Sequence, residues 1–253
     1  RSPLALAGVG DDGQVLVARG DYAEALEVTG RARVIGRCGV TLTGAAGRPT
    51  VLVRGAGASL TLRGVAIQGG ASGAVAMAGA ALTLRDVRVT GVTGIAVDAE
   101  GAGTTVRAEG LAVSGTVARR DAAGRFTDGD ALVARGGARL DAVRVLAEDN
   151  EEAGVYAALG GAVTLVDVVV RRTHPRPDRA FGQGLLVEAG GTLSASRTVV
   201  EASYATGAQA AGARATLRLE DCVVRGTLHR TDGERGWGVV AGAGGRVEGA
   251  RVL

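Results

Sequence analysis

Apolar positions along this chain fall into a phrase that recurs over nearly its whole length. From Gly161 to Arg171 it reads GAVTLVDVVVR: Val163 and Leu165 alternate with polar neighbours, two residues intervene, and Val168 and Val170 alternate again. Alternation with period two marks a strand with one apolar face, so the phrase predicts two short strands joined by a two-residue corner. The same spacing gives Leu60/Leu62 then Val65/Ile67, Leu82/Leu84 then Val87/Val89, Val106/Ala108 then Leu111/Val113, and Ala138/Leu140 then Val143/Val145. Later copies are Leu193/Ala195 then Thr198/Val200, Leu217/Leu219 then Cys222/Val224, and a weaker Gly245/Val247 then Ala250/Val252. The second apolar position moves through 62, 84, 108, 140, 165, 195, 219 and 247, in steps that run from 22 (62 to 84) to 32 (108 to 140).

A third strand precedes the phrase in most copies, at Val51/Val53, Val75/Met77, Ile95/Val97, Val155/Ala157, Leu185/Val187 and Val239/Ala241. Glycine-rich corners such as Gly55–Gly57, Gly160-Gly161 and Gly190-Gly191 follow it, where glycine accepts positive φ without steric cost. A repeat of this length stacks copy on copy. The expected fold is therefore all-β: a right-handed parallel β-helix solenoid with three parallel sheets and about nine or ten coils, residues 1–253 forming one domain. The final copy ends on an apolar strand at Leu253 with no polar cap in view. Solenoid ends need covering, so further coils, another domain or a second chain are expected there.

Composition sharpens this picture. Hydrophobic residues make up 46 % of the chain but aromatics only 2 %, with 43 glycines, so small and branched side chains must fill the core. The glycines follow no three-residue period, which excludes collagen. Net charge is +3, and every basic residue is Arg. The arginines are dispersed among acids rather than clustered, which argues against nucleic acid as a partner. No run has the length of a membrane span. Cys38 and Cys222 lie so many copies apart, roughly 30 Å or more at about 4.8 Å per stacked strand, that a disulfide, which needs Cα atoms within about 7 Å, is excluded. Both read as small buried hydrophobes. Gly8-Val9-Gly10-Asp11-Asp12-Gly13 fits G-x-G-x-x-G, but its two acids would repel a pyrophosphate, so it reads as a turn.

The stretch VLVARGDYAEALEVTGRARVIGRCGVTLTG, with Val15, Val17, Gly20, Tyr22 and Glu24, resembles the opening of right-handed parallel β-helix proteins of the pectate-lyase-like group. The later copies resemble the bacterial right-handed β-helix repeat proteins. The resemblance spans essentially the whole chain. It implies a secreted or cell-surface setting and leaves activity open, since that group holds lyases, hydrolases, esterases and epimerases.

One corner varies in length. It is short at 68–73 and 90–94, and long at 116–129, 173–184 and 227–238. The closing glycines Gly129, Gly184 and Gly238 fall on alternate copies, which places the insertions on one side. They hold both histidines, both phenylalanines and the one tryptophan. Insertions on one face of a repeat array often form its binding surface; aromatic faces suit sugar rings, and arginine forks suit carboxylates or sulfates. The expected ligand-binding residues are Arg125, Phe126, His174, Arg176, Arg179, Phe181, His229, Arg235 and Trp237. The expected partner is a polysaccharide or another surface protein, bound to a scaffold module.

The rival expectation is a polysaccharide lyase or glycoside hydrolase with its site on the same face. Thr127-Asp128-Gly129-Asp130 resembles part of the N-T-D-G-x-D segment of polygalacturonase-type hydrolases, in which aspartates protonate the leaving oxygen and activate water. Asp128, Asp130 and Asp149 are the catalytic candidates on that resemblance. Phe126 stands where that motif has Asn, and the double-aspartate corner and His-Gly that should follow are missing. Glu148, Asp149, Glu151 and Glu152 offer the hard oxygen ligands that Ca2+ takes, although pairing with the flanking arginines competes. No cofactor is otherwise implied. A third reading is a purely structural segment of a larger protein.

Overall fold

The computed structural model of the chain describes residues 13–229 and 236–253. Every regular element among them is a β-strand. The phrase folds as its alternation dictates. In the copy around Asp167, the strands are Ala162–Val166 and Val169–Arg171, and Val163, Leu165, Val168 and Val170 are all buried. Each strand pairs in parallel with its counterpart in the copies on either side, so Leu165 faces Ala142 on one side and Ala195 on the other.

The connectivity of these ladders corrects the expected fold. Three separate sheets of a right-handed β-helix solenoid were the expectation. The described residues instead form a sixteen-stranded sheet whose pairing closes into a twelve-strand parallel β-barrel, together with a nine-stranded parallel sheet. The reason lies in the two-residue corner. Every corner residue, Gly64 and Asp221 included, takes positive φ, and in the middle copies (Asp86, Gly110, Arg144, Asp167, Arg197) the phrase is divided there into two strands. Ser59–Gly69 and Thr216–Arg225 run through their corners unbroken, at Gly64 and Asp221. Each of these two strands pairs with both halves of a neighbouring copy and so joins the two walls into a ring. What reads in sequence as a boundary between sheets is a bend within one. Alternation fixes which side chains face inward; it does not say whether adjacent ladders stay connected.

The third strands form the nine-stranded sheet, which includes Ser72–Met77, Ile95–Glu100, Leu132–Arg135, Ala153–Ala158, Gln183–Glu188 and Trp237–Gly242. Its inward side chains Val97, Leu132, Val155 and Leu185 join Leu140, Leu165 and Leu193 of the barrel in one continuous core. A file of glycines lets the two walls meet. A Cβ on Gly154, Gly184 or Gly207 would stand 2.3 Å from a methyl of Val170, Val200 or Val224 respectively, so the glycine content answers to packing as well as to turns.

The outer face of the nine-stranded sheet carries a second buried layer. Val75, Val133 and Leu186 share one cross-strand row with Asp98 and Tyr156, pointing away from the core, yet all three apolar members are buried. The cysteines are both free. Cys222 is buried as expected, whereas Cys38 is exposed, which corrects its assignment to the interior. No helix among the described residues is long and apolar enough to cross a membrane.

Candidate functional site

The insertions grow from a buried polar ladder. Thr116, Asn150, Thr173 and Ser203 occupy equivalent corners of successive copies and are all buried. The next residue of each copy donates its backbone N–H to the ladder residue before it: Glu151 to Thr116 (2.9 Å), His174 to Asn150 (2.8 Å) and Tyr204 to Thr173 (3.1 Å). The Asn150 side-chain oxygen accepts from the Thr116 N–H at 3.1 Å. The backbone groups of this row thus satisfy one another from copy to copy, with the Asn150 amide adding one bond, while the Thr116 and Ser203 hydroxyls have no partner among the described residues. Segments 116–129 and 173–184 therefore leave from stacked positions, with the shorter corner 147–154 between them.

Segment 116–129 is more ordered than a loop of mixed charge suggests. Arg119–Arg120 pairs antiparallel with Phe126–Thr127, and Asp121 closes the tip by accepting from the N–H groups of Ala123 and Arg125, both at 2.9 Å. Arg125 returns an ion pair to Asp121 at 2.8 Å. The Arg120 guanidinium lies 4.2 Å from the Phe126 ring centroid. Segment 173–184 repeats the device, with Arg176 at 4.3 Å from the ring of Phe181 and paired with Asp178 at 3.0 Å. Four of the expected ligand-binding residues (Arg125, Phe126, Arg176 and Phe181) are thus committed within their own segments.

The acids of the short corner diverge. Glu148 pairs with Arg171 and Arg172, and Asp149 with Arg172 at 2.7 Å. The Glu151 carboxylate accepts from the Ala118 N–H at 2.6 Å, and Glu152 meets Arg176 at 3.3 Å. Among the described residues, no three His, Cys, Asp or Glu side chains are grouped to hold a metal ion. The suggested catalytic trio divides likewise. Asp149 faces outward against Arg172 and His174, while Asp128 and Asp130 turn inward with Glu152 and Asp98.

This inward group is the most unusual chemistry in the protein. Asp98 is held by Arg135, Nη2 to Oδ2 2.7 Å, and Arg135 also reaches Glu100 at 3.2 Å. Burial pushes the Asp98 carboxyl up to about 6, against the pull of Arg135. Burial drives Asp130 well above the usual carboxylate range, and the neighbouring charges of Glu152 and Asp128 add to it. Glu152 is raised to about 7, mainly by burial, although Arg176 opposes this. Burial and the nearby Glu188 carboxylate raise the Tyr156 phenol, which donates to Glu188 at 2.9 Å. Asp98 Oδ1 and Asp130 Oδ1 have no hydrogen-bond partner; Asp128 Oδ2 lies 2.6 Å from Arg119 Nε, but without hydrogen-bond alignment. Asp98 and Asp130 are only 3 % and 2 % exposed, so the group is sealed.

Comparison with protein-family models, curated proteins and solved structures finds no match to this chain.

The open part of the surface lies one ladder step outside the buried polar row. His174 and Tyr204, on successive copies, bring their rings to a centroid distance of 5.2 Å. Leu228 continues the row, bonded through its N–H to Ser203, and is 41 % exposed. Trp237 pairs with Thr206 on the adjoining strand and is 58 % exposed. Arg179 is exposed and has no ion pair among the described residues; His229 is exposed, and Arg235 lies outside them. Tyr204 and Leu228 are the members that sequence reasoning passed over. Their signal was register: each follows the ladder residue of its copy, as His174 does.

Proposed function

We propose that the protein is a glycan-binding surface module, in a secreted or cell-surface setting, and that it binds through the row His174, Tyr204 and Leu228 with Trp237 beside it. The observation that carries this is the His174–Tyr204 ring pair, 5.2 Å between centroids, set beside the exposed Trp237. A half-buried ring pair next to an exposed indole suits the apolar faces of sugars, and the uncommitted Arg179 suits a carboxylate or sulfate on one of them. Phe126 and Phe181 lie outside this reading because their own arginines stack on them.

The rival reading, a polysaccharide lyase or glycoside hydrolase, draws on Asp130 and Glu152, whose environments push them toward neutral pH. Acid–base residues at work near pH 7 do have such values. A glycosidic oxygen would have to reach Asp130, however, and that residue is sealed.

The test is a panel of neutral and acidic polysaccharides probed with the wild type and with Tyr204→Ala, Trp237→Ala and Phe126→Ala. Binding that falls at least tenfold in the first two variants and survives in the third supports the proposal. Binding lost only with Phe126→Ala, no binding to any glycan, or release of reducing ends by the wild type would overturn it.

A further inference from the structure

Glu152 ties down both ends of segment 173–184. Its N–H donates to the His174 carbonyl at 3.0 Å, and its own carbonyl accepts from the N–H groups of Gly182 (2.8 Å) and Gln183 (2.9 Å). It does so at φ +61, a conformation that costs a non-glycine residue roughly 1–2 kcal/mol. Its carboxyl meets Arg176 at the middle of the same segment. Asp130 fixes the end of segment 116–129 to the sheet instead: it follows Gly129 directly, its carbonyl accepts from the Ala96 N–H at 2.9 Å, the Ala131 N–H donates to the Ala153 carbonyl at 3.1 Å beside Glu152, and its carboxyl feels the Glu152 charge. The two insertions thus meet at a pair of buried acids.

The charges around that pair do not balance if every acid ionises. Asp130 is faced by Glu152, Asp128 and Asp98; Glu152 by Arg176, Asp128 and Asp178; Asp98 by Arg135, Glu100 and Asp128. Tyr156 and Glu188 lie on the same side, and Arg119 pairs with Asp128. Seven carboxylates thus face three guanidinium groups. Two carboxylates that share a buried site cannot both ionise cheaply.

We propose that Asp130 and Glu152 form a one-proton carboxyl pair that clamps segments 116–129 and 173–184 onto the outer face of the nine-stranded sheet, and that removing this proton releases them. The sign follows from the raised values. Closure is strongest below about pH 4.5, the ordinary carboxyl value, weakens as pH rises from there, and levels off above about 7, where the closed form also loses the proton. The clamp stands independently of what the outer row binds.

Amide hydrogen exchange on the intact chain tests this, with rates corrected for intrinsic pH dependence. Gly182 and Gln183, whose N–H groups bond to Glu152, and Ala118, bonded to Glu151, are the reporters. Each pH unit over which the closed form alone holds the proton changes the closed-to-open ratio by about tenfold. Protection at these amides should therefore fall by at least about tenfold from pH 5 to 7 in the wild type and level off above that. Asp130→Asn and Glu152→Gln, which cannot lose the proton, should each remove most of that fall. Should either variant not fold, the side-chain carboxyl carbons of the wild type can be titrated by NMR, and at least one of the pair must titrate above pH 6. Protection that does not change with pH in the wild type, variants that track the wild type, or both carboxyls titrating near pH 4 would overturn the clamp.

Discussion

Arg135 reaches to the adjacent strand of the nine-stranded sheet to hold Asp98, Nη2 to Oδ2 2.7 Å, beneath a surface where a lone carboxylate would be untenable. Asp98 sits in a row with buried Val75 and Val133, so among the described residues its strong compensation is this guanidinium. Removing one partner of a buried pair strands the other charge, at a cost of about 3–5 kcal/mol. Arg135→Met should destabilise the fold by about that much at pH 8 and by clearly less at pH 5, where Asp98 takes up a proton. Urea unfolding at the two pH values measures both.

The same carboxyl makes a pH prediction. A folded-state value of about 6, above the ordinary 3.8, means that the folded chain holds the proton more tightly than the unfolded one. The resulting stabilisation is complete below about pH 4 and is lost by about pH 6, to the extent of about 3 kcal/mol. The difference in stability between wild type and Asp98→Asn, followed from pH 4 to 7, should change in the variant's favour across that window and then level off. A difference that is flat across the window would show that Asp98 titrates normally.

The glycine file gives a steric prediction. A methyl at Gly184 would stand 2.3 Å from Val200 Cγ1 and 2.5 Å from the Gly207 carbonyl oxygen. Overpacking of this kind costs about 1–3 kcal/mol, so Gly184→Ala should lower the thermal midpoint. Gly184→Ala with Val200→Ala should recover part of the loss, because the second change removes the clashing methyl. Calorimetry of the single and double variants decides it.

The corner residues make a contrasting prediction. Arg197 pairs with Asp167 at 2.7 Å and Arg251 with Asp221, on the outside of successive bends. These pairs are exposed, and solvent screening leaves such pairs little effect on stability. Arg197→Gly also relieves a positive φ, so it should leave the denaturant midpoint essentially unchanged. A larger loss on denaturant unfolding would mean that the ladder acts cooperatively.

The two thiols should separate cleanly. Cys38 is exposed, while Cys222 is buried, donates weakly to the Ala195 carbonyl, and has its thiol pushed up by burial. A thiol reagent at pH 8 should label Cys38 readily and reach Cys222 only on unfolding. Cys38→Ser should abolish the fast phase.

Strand positions were legible because alternation is local. Val163, Leu165, Val168 and Val170 declare their facing within eight residues, and no distant contact is needed to read it. The third strands and the shared side of the insertions were legible for the same reason, since spacing alone brings equivalent corners together. The closing of the barrel was not. It depends on whether Gly64 and Asp221 bend a strand or break it, and both outcomes carry the same alternation. The candidate site was divided in the same way. His174 and Trp237 stood out by residue type, whereas Tyr204 became relevant only once register set it against His174.

By itself, then, the sequence determined an all-β chain of repeated short strands, a core of small aliphatics, and insertions 116–129 and 173–184 on one side; 227–238 lies partly outside the described residues. These follow from periodicity and from side-chain size, which act between neighbours in the chain. Only the tertiary structure decided that Phe126 and Phe181 are covered by arginines of their own segments, that Asp149 parts from Asp130, and that Glu152 takes its place. Those outcomes turn on which charges meet after folding and how much water remains around them, and residues as far apart in the chain as Asp98 and Arg135 settle that together.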